Sequence, residues 1–358
     1  MKKMVDHELI DLRQDEKIDV YKLKQYLTTL LKINIDEIKI LQFSGGHANL
    51  TYLISFDDQE FVLRRPPLGP VAPSSHDMAR EHLVQYSLNK LFPLAPKSFH
   101  LCNDDNIIGS KFHLIERRKG IVIRKEMRPE LDGSREKIRS LSFKMIDVLA
   151  QLHTLDPSKV GLGNFGRPDG FVLRQLNGWE ERWKKASDKK KLENRFNKLL
   201  KYLRSNIPEP QGTTILHNDF KLDNIMWDND NPLLPTAVFD WDMCTRGDPL
   251  MDLGHFLNYW IDEDDETEAN LITSMPIKNI LYPKKIEIID HYALKTGFST
   301  KDIDWYYAFG AFKLAVIIQQ IYVRFLKGQT KDKRFANFGH RIEALINRAN
   351  GVFNLNQR

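Results

Sequence analysis

The sequence predicts an α+β fold in two lobes, a small antiparallel-sheet lobe with helices over residues 1–117 and a larger, mainly helical lobe over 118–358. Three observations lead there. Short runs with period-two alternation are confined to the first third of the chain, as at Leu50, Tyr52, Ile54 and Phe56. The charged run Arg117-Arg118-Lys119-Gly120 then changes the composition abruptly. Beyond it, apolar residues recur at three- and four-residue spacing, first at Ile138, Leu141, Met145, Leu149 and Leu152. A chain of 358 residues with 42% hydrophobic content has enough apolar surface for two moderate cores.

In chain order, residues before Asp19 are polar and read as loosely held. Asp19 can cap a helix from Val20 whose Leu23, Tyr26, Leu27, Leu30 and Leu31 share one face. Strands follow at Ile38 to Phe43, Asn49 to Phe56 and Phe61 to Arg64, with Asp57-Asp58-Gln59 turning the chain into a hairpin. The loop Ser44-Gly45-Gly46-His47-Ala48-Asn49 carries paired glycines, which let a backbone approach a ligand and aim N–H groups at phosphate oxygens. Arg64 ends its strand just before Pro66-Pro67 and can carry a cation to a phosphate; Glu81, on a helix that starts near Ser75-His76-Asp77 and runs to Leu91, is its expected partner. Two more strands, Lys97 to Leu101 and Ile107 to Glu116, close the small lobe.

In the second lobe Ser134 caps the helix ending at His153, which reads as a satisfied structural histidine. The loop Gly161 to Gly166 lacks a preceding strand and reads as a connector. Trp179, Trp183 and the lysine run after them belong to helices with a charged face. Asp248 can cap a helix beginning near Leu250, the acidic run Asp262 to Glu266 reads as a solvated loop, and the chain from Lys284 onward is mainly helical.

The chemistry concentrates between Ile215 and Asp242. His217, Asp219, Lys221 and Asn224 fit H-x-D-x-K-x-x-N, and Asp240 closes the apolar run Thr236 to Phe239. Phosphoryl transfer needs a carboxylate that orients an acceptor hydroxyl and ligands that hold Mg²⁺ against a nucleotide's phosphates. Asp219 suits the first task. Asn224 and Asp240 supply the hard oxygen atoms that Mg²⁺ prefers, and Lys221 adds positive charge beside the transferring group. Asp and Asn are also turn formers, so the set carries meaning as an ordered whole.

Composition narrows the alternatives. Fifty-three Lys+Arg against 48 Asp+Glu leave a net charge of +5 spread along the chain, which points away from nucleic acid and is compatible with small anions. Cys102 and Cys244 have no paired spacing, which fits a reducing cytoplasm. No stretch reads as a signal peptide or an uninterrupted membrane span, so neither secretion nor a membrane is expected.

The segments FSGGHANLTYLIS, FVLRRPP, AREHLVQYSL, LHNDFKLDNIMWD, AVFDWD and GDPLMDLGHFL, in this order between Ile40 and Trp260, together resemble the aminoglycoside phosphotransferase and choline kinase-like enzymes. These are small-molecule relatives of the protein kinases, and the likeness is nearest the branch that also occurs fused to acyl-CoA dehydrogenase modules. The resemblance implies a protein-kinase-like two-lobed fold and an ATP (or GTP) and Mg²⁺-dependent kinase of a small hydroxyl compound. It implies that Asp219 is the catalytic base, assisted by Lys221, and that Asn224 and Asp240 are the metal ligands. Ser44, Gly45, Gly46, His47 and Asn49 become the nucleotide-covering loop, Glu81 the acidic partner of the strand cation, and Glu116 a further nucleotide-binding position. The chain departs in FVLR, where Arg64 stands in place of the family's usual lysine. Trp241-Asp242 after Asp240, in place of Phe-Gly, separates the chain from protein kinases proper and argues for a small acceptor. Aminoglycoside, choline-like and hydroxyacyl thioester acceptors stay open. So do two other activities, a nucleotide-binding pseudokinase and a metal-dependent hydrolase built on His217, Asp219, Asp223 and Asp240.

Overall fold

The computed structural model describes residues 8–44, 49–69, 76–186, 193–261, 263, 265, 270–278, 282–330 and 333–355. The chain forms two compact units, one of residues 1–119 with Ala237–Asp242 and one of residues 120–236 with 243–358. The sequence boundary after Arg117 lies within two residues of the first break. The return of Ala237–Asp242 to the first unit was not foreseen, and two contacts explain it. Val238 N–H donates to Leu94 O at 2.7 Å, and Trp241 packs edge-on against Phe92.

In the first unit the chain runs β1 (Leu9–Ile10), α1 (Val20–Leu31), β2 (Lys39–Phe43), β3 (Leu50–Phe56), β4 (Gln59–Arg65), α2 (Met78–Leu88), β5 (Ser98–Cys102) and β6 (Phe112–Glu116). The strands form a six-stranded sheet in the order β1-β2-β3-β4-β6-β5, with antiparallel neighbours throughout. Asp19 caps α1 through Lys22 N–H at 3.0 Å, and Leu23 and Leu27 join Tyr52, Ile54, Leu63 and Phe112 in one core. Period two then divides the two arginines at the end of β4. Arg65 faces this core and is buried, its guanidinium donating to Tyr52 Oη, Ile108 O and Glu16 O. Arg64 points to the opposite face, opposite Thr51 and His113 in register.

Three local expectations are corrected. Residues before Asp19 are tied down from Leu9: β1 pairs with β2, and Ile18 is buried. A two-residue strand shows no alternation to read. The helix expected to reach Leu91 ends at Leu88, and the strand expected from Ile107 begins at Phe112 because Asp105 and Gly109 close a turn there (Gly109 N–H to Asp105 O, 2.8 Å; Gly109 φ +82°).

The second unit contains β7 (Ile121–Val122), α3 (Arg135–His153), α4 (Phe171–Ala186), α5 (Glu193–Ser205), β8 (Thr214–Leu216), β9 (Ile225–Trp227), the first residues of β10 (Pro235–Val238), β11 (Thr245–Gly247), α6 (Leu250–Leu257), α7 (Lys285–Thr296), α8 (Ile303–Leu326) and α9 (Phe338–Leu355). Helices dominate because their apolar stripes are wide: Trp183 stacks on Phe196 between α4 and α5, and α8 is buried along most of Ile303 to Val316. By length and average composition α8 could cross a membrane, although Lys313 interrupts its apolar run and the expectation concerned an uninterrupted one. Its buried first half is the centre of this helical unit. Asp248 serves the fold, accepting from Leu250 N–H at 2.9 Å and from Tyr306 Oη at 2.7 Å.

Candidate active site

Within the second unit, β8 delivers the chain into a turn, Asn218 adopts φ +66°, and Asp219 follows it. A 3₁₀ turn at Leu222–Asn224 then leads into β9. This puts the motif residues on one short loop. Lys221 Nζ lies 2.9 Å from Asp219 Oδ2, and Asn224 Nδ2 donates to Asp219 O at 2.8 Å and reaches Oδ2 at 3.3 Å. Burial pushes the Asp219 carboxyl upward, but the Lys221 ammonium and His255 outweigh it and hold the group well below the usual carboxylate range. His255, whose Nε2 is 3.9 Å from Asp219 Oδ1, is pushed down to about 4 by burial and by Lys313, so it is neutral at pH 7.

The turn is supported by groups the motif does not contain. Asp252 of α6, 1% exposed, accepts the backbone N–H of His217 at 2.6 Å and of Asn218 at 2.7 Å. His153 is held between Tyr292 Oη at 2.6 Å and Asp252 at 3.2 Å, the structural role expected for it. Sequence reasoning passed over His255, Tyr259, whose ring centroid lies 5.6 Å from Lys221 Nζ, Lys313 and the role of Asp252. The available signals were the i, i+3 pair Asp252 and His255, and a single lysine inside the apolar run of α8.

In the first unit, Arg64 is held between two carboxylates. Its Nε is 3.2 Å from Glu81 Oε1 and its Nη2 3.2 Å from Asp240 Oδ1. Burial alone would lower Arg64, and the carboxylates of Glu81 and Asp240 raise it beyond the ordinary value. Burial pushes Glu81 up to about 7 against the pull of Arg64. His113, buried 3.7 Å from Glu81, is driven well down by burial and stays neutral. Asp77 caps α2 by accepting from Ala79 and Arg80 N–H, which fixes the turn of helix carrying Glu81.

The remaining predicted positions fare differently. Gly45, Gly46 and His47 lie outside the described residues. Ser44 O accepts from Arg13, and buried Asn49 meets His76 Nδ1 at 2.8 Å while its Nδ2 has no partner among the described residues. Glu116 spends its carboxylate on Lys97 N–H and on Arg118, contacts at the strand end.

Mg²⁺ asks for hard oxygens with lone pairs to spare. Among the described residues the Asn224 side chain makes hydrogen bonds only through its Nδ2, so its amide oxygen stays available, and Asp240 uses only one carboxylate oxygen, on Arg64. Both fit such an ion. Among the described residues no group of three or more His, Cys, Asp or Glu could hold a metal, which leaves the hydrolase set without support; His217 is buried, with Nδ1 accepting from Asp219 N–H at 3.3 Å.

The phosphotransferase enzyme family profile, APH, matches residues 39–273, well over half of the chain. The chain belongs to the phosphotransferase enzyme family. Its sequence relatives include acyl-CoA dehydrogenase family member 11 of Gallus gallus, 29% identical over 94% of this chain and 43% of the relative. Member 10 of Mus musculus is 30% identical over 90% of this chain and 30% of the relative. The chain thus spans less than half the length of these relatives. Among solved structures, a Ralstonia eutropha JMP134 protein described as an aminoglycoside phosphotransferase superposes with TM-score 0.76 at 24% identity, covering 94% of this chain and 99% of its own. Aminoglycoside phosphotransferase APH(4)-Ia, in a ternary complex with AMP-PNP and hygromycin B, superposes with TM-score 0.57 at 14% identity over 91% of this chain and 98% of its own. The fold is that of this kinase-like group, as the motif order implied.

Proposed function

We propose that this phosphotransferase family member moves the γ-phosphoryl group of ATP, or GTP, to a hydroxyl of a small molecule. The observation that carries the proposal is the Asp219 carboxylate, kept ionised between Lys221 and His255 on a turn pinned by Asp252. The acceptor's O–H would donate to Asp219, an oxygen–phosphorus bond would form to the γ-phosphorus, and the bond to the β–γ bridging oxygen would break to release ADP. The proton passes to Asp219. A carboxylate this acidic is a poor base, so its main contribution is orientation, with proton transfer late in a loose transition state. Lys221 would offset charge on the equatorial oxygens. Mg²⁺ would neutralise the nucleotide's phosphates, and the Asn224 amide oxygen in the second unit and the Asp240 carboxylate in the first are, each taken by itself, oxygen donors suited to it.

Sequence kinship to proteins named acyl-CoA dehydrogenase family members favours a hydroxyacyl thioester over an aminoglycoside or choline-like acceptor. The buried cysteines Cys102 and Cys244, both outside any disulfide, support a reducing, cytoplasmic setting. One observation favours a second reading, nucleotide binding without transfer: Arg64 occupies one oxygen of Asp240. A panel of hydroxyl acceptors coupled to ADP release separates the two. Acceptor-dependent ADP release that disappears in Asp219→Asn, with Mg²⁺–ATP still raising the melting temperature, supports transfer. Thermal stabilisation without ADP release on any acceptor supports the second reading.

A further inference from the structure

Lys313 lies in the middle of α8, is 4% exposed, and faces groups from three directions. From the catalytic turn come the Asn218 carbonyl, at 2.9 Å from Nζ, and the charge of Asp219. From α6 come Asp252 and His255. From α4 come the Trp179 ring, 5.9 Å from Nζ to its centroid, and the charge of Arg182. Among the described residues no carboxylate oxygen lies within ion-pair distance of the ammonium, so a desolvated cation has been kept where an apolar side chain would fit the helix better.

The packing shows how it reaches the turn. Gly310, one helical turn earlier on the same face, lies where a Cβ would come within 2.7 Å of Gly254 O and of Asn258 Nδ2, and a Cβ on Gly254 would come within 2.4 Å of the Tyr306 backbone. Two glycines therefore bring α6 and α8 together. The same peptide junction then receives opposite charges. Asp252 takes the N–H groups of His217 and Asn218, while Lys313 donates to the Asn218 carbonyl. Asn218 sits at φ +66°, a left-handed conformation that Asn adopts at lower cost than most residues with a side chain and that persists where its surroundings hold it.

We propose that Lys313 is a positioning residue for phosphoryl transfer: by donating to the Asn218 carbonyl, opposite Asp252, it holds the left-handed turn that presents Asp219, and so governs kcat and not nucleotide affinity. The inference rests on the phosphotransfer reading, and its test carries a readout independent of turnover. Lys313→Met removes the donor at similar volume. Its kcat falls roughly 10- to 100-fold, the size of effect expected from displacing a reacting group by about 1 Å, with the KM for ATP within about twofold. Lys313→Arg keeps a donor that does not titrate. Burial pushes the Lys313 ammonium down to about 8, so wild-type kcat declines above that pH, whereas Lys313→Arg retains activity without the alkaline limb. Amide hydrogen exchange at 217–219 quickens in Lys313→Met while exchange in α3 is unchanged. Wild-type kcat in Lys313→Met, a loss confined to the KM for ATP, or unaltered exchange at 217–219 in a folded variant overturns the proposal. If wild type transfers phosphate to no acceptor, the phosphotransfer reading fails, and the exchange result still decides whether Lys313 holds the turn.

Discussion

Asp252 offers the most quantitative perturbation. Its carboxylate receives two backbone N–H groups at 2.6 and 2.7 Å and the imidazole of His153 at 3.2 Å. Burial raises its pKa, and the hydrogen bond and charge of His153 more than reverse this, so it is ionised at neutral pH. Each hydrogen bond to a buried charged acceptor contributes about 1.5–3 kcal/mol, and an N–H left buried without a partner costs a similar amount. Asp252→Ala strands two such N–H groups, so a loss of about 3–6 kcal/mol is expected. Asp252→Asn retains one acceptor oxygen and turns an amide NH₂ toward the other N–H, so about half that loss is expected. Urea denaturation followed by intrinsic fluorescence measures both variants. Near-native stability for Asp252→Ala, within about 0.5 kcal/mol of wild type, would refute the idea that this carboxylate satisfies the turn.

Three further outcomes are expected. Arg64→Met leaves Glu81, 0% exposed, without its cation and should cost about 3–5 kcal/mol; adding Glu81→Gln should recover much of this in a double-mutant cycle, and additive losses would contradict the coupling. Gly254→Ala places a Cβ 2.4 Å from the Tyr306 backbone and should destabilise by about 1–3 kcal/mol, read as a lower melting temperature; an unchanged melting temperature would contradict the α6–α8 packing. Burial pushes the folded His255 imidazole down to about 4 from its ordinary value near 6.5, so the stability due to its neutral form is present above pH 6.5 and is lost as pH falls through 6.5 toward 4, up to roughly 3 kcal/mol. His255→Gln should flatten that acid slope, and an identical slope in the variant would remove His255 as its source.

How much of this was legible in the sequence depends on the distance along the chain over which each contact acts. Asp219, Lys221 and Asn224 lie within six residues, and their spacing alone places them on one loop. The Arg64–Glu81 pair could be anticipated because a strand end and a capped helix follow each other closely. Asp252 reaches the turn across 34 residues and Lys313 across 95, and each is embedded in a helix whose apolar pattern describes packing and says nothing about a backbone carbonyl in another element. β1 was invisible because two residues cannot show a period. α8 shows no uninterrupted apolar run because Lys313 and Arg324 break it, yet its average passes for a span. Glu116 was placed at a strand end without any means of seeing that Lys97 and Arg118 engage its carboxylate.

The central claim is that Asp219 directs a nucleotide's terminal phosphoryl group to a hydroxyl. Its most direct test is a single-turnover reaction with oxygen-18-labelled γ-phosphate ATP and Mg²⁺, analysed by mass spectrometry of the acceptor pool, with wild type and Asp219→Asn in parallel. Labelled phosphate esterified to an acceptor by wild type and absent with Asp219→Asn is the predicted result. Equal labelling by both proteins would contradict the account.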